Sequence, residues 1–254
     1  MSEKHYNISY LENTGKILKD LKEYSYNPFK SLNEGTIVDL GCGTGNDVLK
    51  MSQQLNPALK LIGIDHDPQM IAKASQNLNE NSNIRFIQSE VYTLSFETES
   101  IAGIRTERMV QHLKEPIKTI KEIYRVLKKN HPFVIVETDW DSLMFYNNQI
   151  DASKKINNYL TKIKVNNGMA AKKLTHYLKE NKFRNISFEI FPFVLKSLKD
   201  ANDYLWLEII LEEAKEAGFI TKEEHTAFVN TIKVADSEKY FSCSINLVLA
   251  TSVK

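Results

Sequence analysis

The stretch Thr36-Ile-Val-Asp-Leu-Gly-Cys-Gly-Thr-Gly-Asn-Asp47 sets the tightest limit on the fold of this 254-residue chain. A branched, apolar run leads to Asp39, and glycines follow at the alternate positions 41, 43 and 45. The pattern reads as a buried strand entering a tight loop that opens a helix near Asn46. Glycine is required where a backbone turns into positive φ, or where a ligand comes too close for a Cβ. The first N–H groups of such a helix lack partners within it and face what the loop encloses. The dinucleotide fingerprint G-x-G-x-x-G is not met, because Asn46 stands where its last glycine belongs. A P-loop is excluded by the missing lysine-serine pair.

Further strand-then-helix segments follow. Lys60-Leu-Ile-Gly-Ile-Asp-His-Asp-Pro-Gln-Met70 is a second apolar run closing on an acid, Asp65. An acid at the end of a second strand is suited to accept hydrogen bonds from two ribose hydroxyls. Asp67 before Pro68 has the form of a helix cap. Ile84 and Phe86 alternate with Arg85 and Ile87 as a third strand. A fourth follows near Ile101, with a helix from Ile117 to Leu127 whose apolar residues share one face. A fifth covers Phe133 to Val136. Alternation of this kind predicts an α/β fold with a parallel sheet, right-handed crossovers and a ligand above the carboxyl ends of the strands.

Asp39, Gly41, Gly43 and Gly45 together resemble the first motif of class I S-adenosylmethionine-dependent methyltransferases. That resemblance implies a Rossmann-like three-layer sandwich: a mostly parallel seven-stranded sheet whose last strand is antiparallel, with helical additions over the site. It further implies that Asp39, the glycines and Cys42 cradle the amino-acid end of the donor, and that Asp65 takes the ribose. Met70, with His66, would pack on adenine, while Ser89, Glu90 and Val91 would meet its edge. Glu90 departs from the family's usual aspartate, and Leu94-Ser-Phe96 from its leucine-proline-phenylalanine. Arg125-Val-Leu-Lys-Lys-Asn-His-Pro132 is similar to the family's R-V-L-K-P-G-G turn, with Asn130 able to take the left-handed conformation. Arg105, Arg108, Gln111, His112 and Asp139-Trp140 resemble a subgroup that methylates small molecules. Arg105 is assigned to the donor, Arg108, Asp139 and Trp140 to the acceptor, and His112 to the base. Each has a structural alternative. The arginines would pair with Glu107, Asp139 or Asp141 as scaffold, Trp140 would be core, and His66 and His112 would be loop residues. Met70 would be plain core filler, and Asp65 a cap for the next helix.

Composition narrows the partners. Net charge is +1, which gives no field for nucleic acid or an anionic membrane, and pairs such as Lys128-Lys129 and Lys172-Lys173 read as solvated helix faces. Cys42 and Cys243 lack metal-ligand spacing, so a reduced, cytoplasmic protein without metal is expected. A single domain is expected, as a monomer or homodimer. Residues 1–30 would form a helical cap, with a helix from Tyr10 to Tyr24 and a linker at Tyr26 to Phe29. Segments 141–181 and 196–235 would cover the substrate. They contain helices at Ser142 to Val165, Gly168 to Asn181, Asp200 to Ala217 and Thr221 to Val234, and the aromatics Tyr146, Tyr159, Phe191, Tyr204 and Trp206. Strands six and seven are placed at Asn185 to Leu195 and Phe241 to Ala250. The expected activity is methyl transfer from S-adenosylmethionine to a small organic acceptor at oxygen, nitrogen or carbon. The alternative is a donor-binding regulatory or assembly module without catalysis.

Overall fold

In a computed structural model of the chain, residues 18–76, 78 and 83–254 are described. Seven strands form one sheet: β1 Gly35–Leu40, β2 Leu59–Asp65, β3 Ile84–Gln88, β4 Gly103–Glu107, β5 Pro132–Phe145, β6 Arg184–Leu195 and β7 Cys243–Val253. Their spatial order is β3-β2-β1-β4-β5-β7-β6. Pairing is parallel from β3 across to β5, with Asp39 level with Gly63 and Arg105. β7 runs antiparallel to β5: Tyr146 bonds to Ser242 near one end, and His131 to Lys254 at the other. The strand order reverses between β1 and β4, and this is where a doubly wound sheet opens its ligand crevice.

The described helices are α1 Lys19–Tyr24, α2 Asn46–Gln54, α3 Pro68–Ser75, α4 Pro116–Val126, α5 Ile150–Tyr159, α6 Ala170–Glu180, α7 Leu198–Leu205, α8 Leu207–Glu216 and α9 Lys222–Ser237. Local chemistry sets their ends. Asp67 caps α3, its side chain accepting from the Gln69 N–H at 2.8 Å. Thr221 and Glu224 form a reciprocal capping box at the start of α9. Gly218 takes φ +75° after α8.

Several boundaries differ from the sequence reading. Residues 10–17 of the expected N-terminal helix, Leu11 among them, lie outside the described residues. Tyr26 to Phe29 is no linker: it holds a 3-10 turn with Tyr26 and Phe29 both fully buried. β5 continues through the acids at 137, 139 and 141 to Phe145, where a helix was expected to begin. A single helix over 200–217 is broken at Trp206, which adopts φ +56° and starts a second helix. The Asn202 side chain accepts the Glu208 N–H at 3.0 Å and stabilises that break.

The chain falls into two compact units where one domain was expected. The first comprises the described residues up to 137, with 173–189 and 249–254, and its core is built from sheet residues such as Ile37, Val38, Ile104 and Phe133, all fully buried. The second comprises 138–172 and 190–248, and packs α5, α7, α8 and α9 around its own apolar centre. There Phe228 is fully buried and meets Phe145 edge-on, ring centroids 4.9 Å apart. Phe228→Ala should lower the unfolding free energy by about 3–5 kcal/mol, the usual cost of a phenylalanine-sized core deletion. Urea denaturation would measure it, and a change below about 1 kcal/mol would show a site that refills itself.

Candidate functional site

The glycine loop lies between β1 and α2. Gly41, Gly43 and Gly45 all have positive φ, at 74°, 52° and 76°. At Gly45 the requirement is double, since a Cβ would stand 2.4 Å from the Phe86 ring. The same ring lies 2.5 Å from where a Gly63 Cβ would be, so one phenylalanine of β3 packs into space that two glycines leave open. The N–H groups of Gly41 and Cys42 both bond to the Ile64 carbonyl, at 2.7 and 2.9 Å. These bonds fasten the loop to the end of β2. Cys42 is buried, and burial raises its thiol far above the ordinary range, so it serves as a small packing group.

Asp65 ends β2 beside this loop. Its Oδ2 accepts the Gly43 N–H at 2.8 Å, and its Oδ1 accepts the Asp67 N–H at 3.0 Å. The capping of α3 falls to Asp67, which frees Asp65 from that task. A carboxylate offers about four acceptor positions. The two backbone bonds use one on each oxygen, and one on each is left for a pair of adjacent hydroxyls. His66 approaches Oδ1 at 3.2 Å, but its side chain is 75% exposed and easily displaced. Met70 and Val91 are buried nearby in sequence, Ser89 is half-buried with its N–H on the Asp65 carbonyl, and Glu90 is exposed.

Arg105 departs from its assignment to the donor. It is fully buried, and each side of its guanidinium is taken by protein. Nη1 donates to Asp39 at 3.1 Å, Nη2 to Glu107 at 2.6 Å, and Nε to the Ser25 hydroxyl at 2.8 Å. The scaffold alternative describes it, because a buried guanidinium must find acceptors or forgo a large solvation energy. Lys22 of α1 joins the cluster, 2.7 Å from both Asp47 and Glu107. Tyr26 donates to Asp47. Burial pushes the Asp39 carboxyl up to about 7 despite Arg105. For Asp47 burial acts the same way, but Lys22 and Arg105 outweigh it and hold the carboxyl below its usual range.

The loop after β4 holds the remaining candidates of the first unit. Arg108 has φ +50°, an uncommon conformation for a non-glycine residue, and its Nε lies 3.3 Å from Glu107. Val110–His112 is a 3-10 turn, with the His112 Nε2 3.0 Å from the Gln111 side-chain nitrogen. Its position is set by a residue that sequence reasoning missed. Glu137, fully buried in β5, accepts the Val110 N–H at 2.6 Å and also bonds to the Gln111 N–H. Its other oxygen has no hydrogen-bond partner. Burial raises the Glu137 carboxyl to about 8, with the two N–H groups and Arg108 opposing and Glu107 reinforcing. An acid inside an apolar strand was the available signal.

Asp139 and Trp140 belong to the second unit. Asp139 is half-buried and accepts the Asp141 N–H at 3.3 Å, and burial raises its carboxyl while Lys172 opposes. Trp140 packs against the core of that unit, as its structural alternative had it. Tyr159 is also core, its hydroxyl on Glu213 at 2.9 Å, whereas Tyr146 is 58% exposed. Among the described residues no group of histidines, cysteines and acids forms a metal site, and no helix is long and apolar enough to cross a membrane.

A doubly wound sheet with a glycine loop and a buried strand-end carboxylate is a framework that nucleoside-binding enzymes use. Residues 32–187 match the family model described as a methyltransferase domain, and the chain belongs to the class I S-adenosylmethionine-dependent methyltransferases. A demethylmenaquinone methyltransferase of Lactococcus lactis is 29% identical over 74% of this chain and 67% of its own. A 37.1 kDa protein of a Streptomyces fradiae transposon is 28% identical over 72% of this chain, which spans only 53% of that relative. The YcgJ protein of Bacillus subtilis has the same fold, with a TM-score of 0.62 at 17% identity over 93% of this chain and 98% of its own. Phosphoethanolamine N-methyltransferase 2 of Haemonchus contortus gives 0.61 at 16% identity, covering 92% of this chain and 52% of that one.

Glu137 gives a pH-dependent test. Its folded-state value of about 8 lies above the ordinary 4.5, so the native state keeps the proton longer than the unfolded chain. Its contribution to stability is therefore complete below about 4.5 and is lost as pH rises through about 8. Glu137→Gln has no such loss, so its stability relative to the parent should climb between pH 5 and 8 and then level. Denaturant titrations across that range would show a flat difference if the carboxyl titrates normally.

Proposed function

We propose that the chain transfers the methyl group of S-adenosylmethionine to a small organic acceptor, at oxygen, nitrogen or carbon. The observation that carries this reading is the Asp65 carboxylate. It is only 8% exposed, fixed by the Gly43 and Asp67 N–H groups, and still has acceptor capacity on both oxygens. A ribose diol matches that capacity. Gly41, Gly43 and Gly45 would pass beside the amino-acid end of the donor, with Asp39 behind them, while Met70 and Val91 supply apolar surface for adenine. The cofactor brings an already activated sulfonium methyl, so the protein's main task is alignment, which supplies about 7–11 kcal/mol in well-oriented reactions.

Proton removal from the acceptor is assigned to His112. Its Nε2 lies 3.0 Å from the Gln111 side-chain nitrogen. Glu137 secures the backbone of the same turn. Arg108, in the loop after β4, is offered as an acceptor-side residue. Methyltransferases of similar fold are in complex with small organic molecules, phosphomonomethylethanolamine and geranyl diphosphate among them, which supports that class.

Calorimetry with S-adenosylmethionine should show saturable binding, and Asp65→Ala should weaken it by about 1–3 kcal/mol through loss of a charged acceptor. Asp65→Asn, which retains one acceptor oxygen, should fall between the two. Unchanged affinity in both variants would remove the ribose role. Incubation with a metabolite pool should release S-adenosylhomocysteine, and donor binding without release from any acceptor pool would favour the non-catalytic module. With an acceptor in hand, His112→Ala should lower turnover about 10²–10⁴-fold while donor affinity holds. Equal turnover would assign the histidine to the loop alone.

A further inference from the structure

A second concave site lies in the first unit, between the start of α4 and the exposed side of α6. It is an open hollow of about 720 Å³. Lys114, Lys118, Lys121 and Lys173 line it together with His176, against one carboxylate, Glu115. The whole chain carries a net charge of only +1, so this hollow concentrates positive charge that the rest of the surface balances.

Several lysines elsewhere are matched by acids. Lys155, Lys164, Lys172, Lys199 and Lys215 each sit against a carboxylate. Lys114, Lys121 and Lys173 have no carboxylate within ion-pair distance among the described residues. Lys118 meets Glu115 only at 3.6 Å and lies over the Tyr92 ring, 5.4 Å from its centroid. Like charges gathered around a hollow repel one another, and an anion inside relieves that repulsion while collecting several ammonium donors at once. Tyr177 gives the hollow a buried aromatic wall, so it has a solid floor beneath the charges.

We propose that this hollow binds a phosphoryl-bearing small molecule, held by the Lys114, Lys118, Lys121 and Lys173 ammonium groups. Phosphoryl oxygens suit it because they spread two or more negative charges over several acceptors, as many as the four lysines supply. The site needs no methyl donor, and its test is independent of the function proposed above.

Inorganic pyrophosphate titrated into the donor-free protein by calorimetry should bind saturably, and more weakly as salt rises. The double variant Lys118→Glu, Lys121→Glu should weaken binding about tenfold or more. Lys128→Glu, Lys129→Glu, which places the same charge change outside the hollow, should leave it unchanged. Circular dichroism would confirm that both variants remain folded, and the neutral pair Lys118→Gln, Lys121→Gln serves if charge reversal disturbs the fold. Absence of saturation at millimolar pyrophosphate, or equal losses in the inside and outside variants, would overturn the proposal. So would sedimentation with phosphatidylglycerol vesicles when free pyrophosphate does not bind, since a lipid headgroup would then be the source of the phosphoryl group.

Discussion

Burial of the Arg105 guanidinium is the constraint on which the first unit depends. An ion of this size leaves water at a cost of several kcal/mol even after relaxation, and only well-placed counter-ions and hydrogen bonds offset it. Three come from different places in the sequence: Asp39 at the end of β1, Glu107 two residues along β4, and Ser25 after α1. Lys22 then answers the excess of negative charge by bridging Asp47 and Glu107. The result ties α1, β1, the first turn of α2 and β4 into one electrostatic unit directly behind the glycine loop. Such clusters are weak evidence for stability, because apolar replacements of equal volume often do as well. Their strength is geometric, since each partner has few positions in which every charge is answered.

That geometry fixes the form of the glycine loop. The loop is fixed from below by two N–H groups on the Ile64 carbonyl and from the side by Gly43 on Asp65. Asp65 shapes the loop and keeps acceptor capacity on its carboxylate oxygens. On the other side of the switch point, Glu137 performs the matching task for the turn that carries His112. Two buried acids thus hold the glycine loop and the turn after β4: Asp65 at the end of β2, and Glu137 within β5, where burial raises its carboxyl.

Much of this was legible in the sequence, for identifiable reasons. The glycine loop, Asp65 and the Asp67 cap depend on short-range rules, where a residue's role is set by neighbours within a few positions. The capping box at Thr221 and the turn at Gly218 belong to the same class. Features that depend on distant partners were hidden. Arg105 looked like a ligand contact because its three partners lie 80, 66 and 2 positions away. The length of β5 was missed because acids at 137, 139 and 141 suggested a surface loop, although Glu137 is fully buried. Trp206 broke a helix whose apolar periodicity ran straight through it, and a bulky residue at positive φ leaves no propensity signal.

Phe86 carries a consequence of its own. Its ring fills the volume left by the missing side chains at 45 and 63, so the curvature of the donor loop is inherited from a residue on another strand. Positions 45, 63 and 86 are therefore one packing unit in evolutionary terms. A smaller side chain at 86 would remove one of the contacts at 45 and 63, leaving Ala74 Cβ 2.9 Å from a Gly45 Cβ and Cys42 Sγ 2.8 Å from a Gly63 Cβ, and would slacken the loop. Substitutions at the three sites should show epistasis, the cost of a side chain at 45 or 63 depending on the size of residue 86.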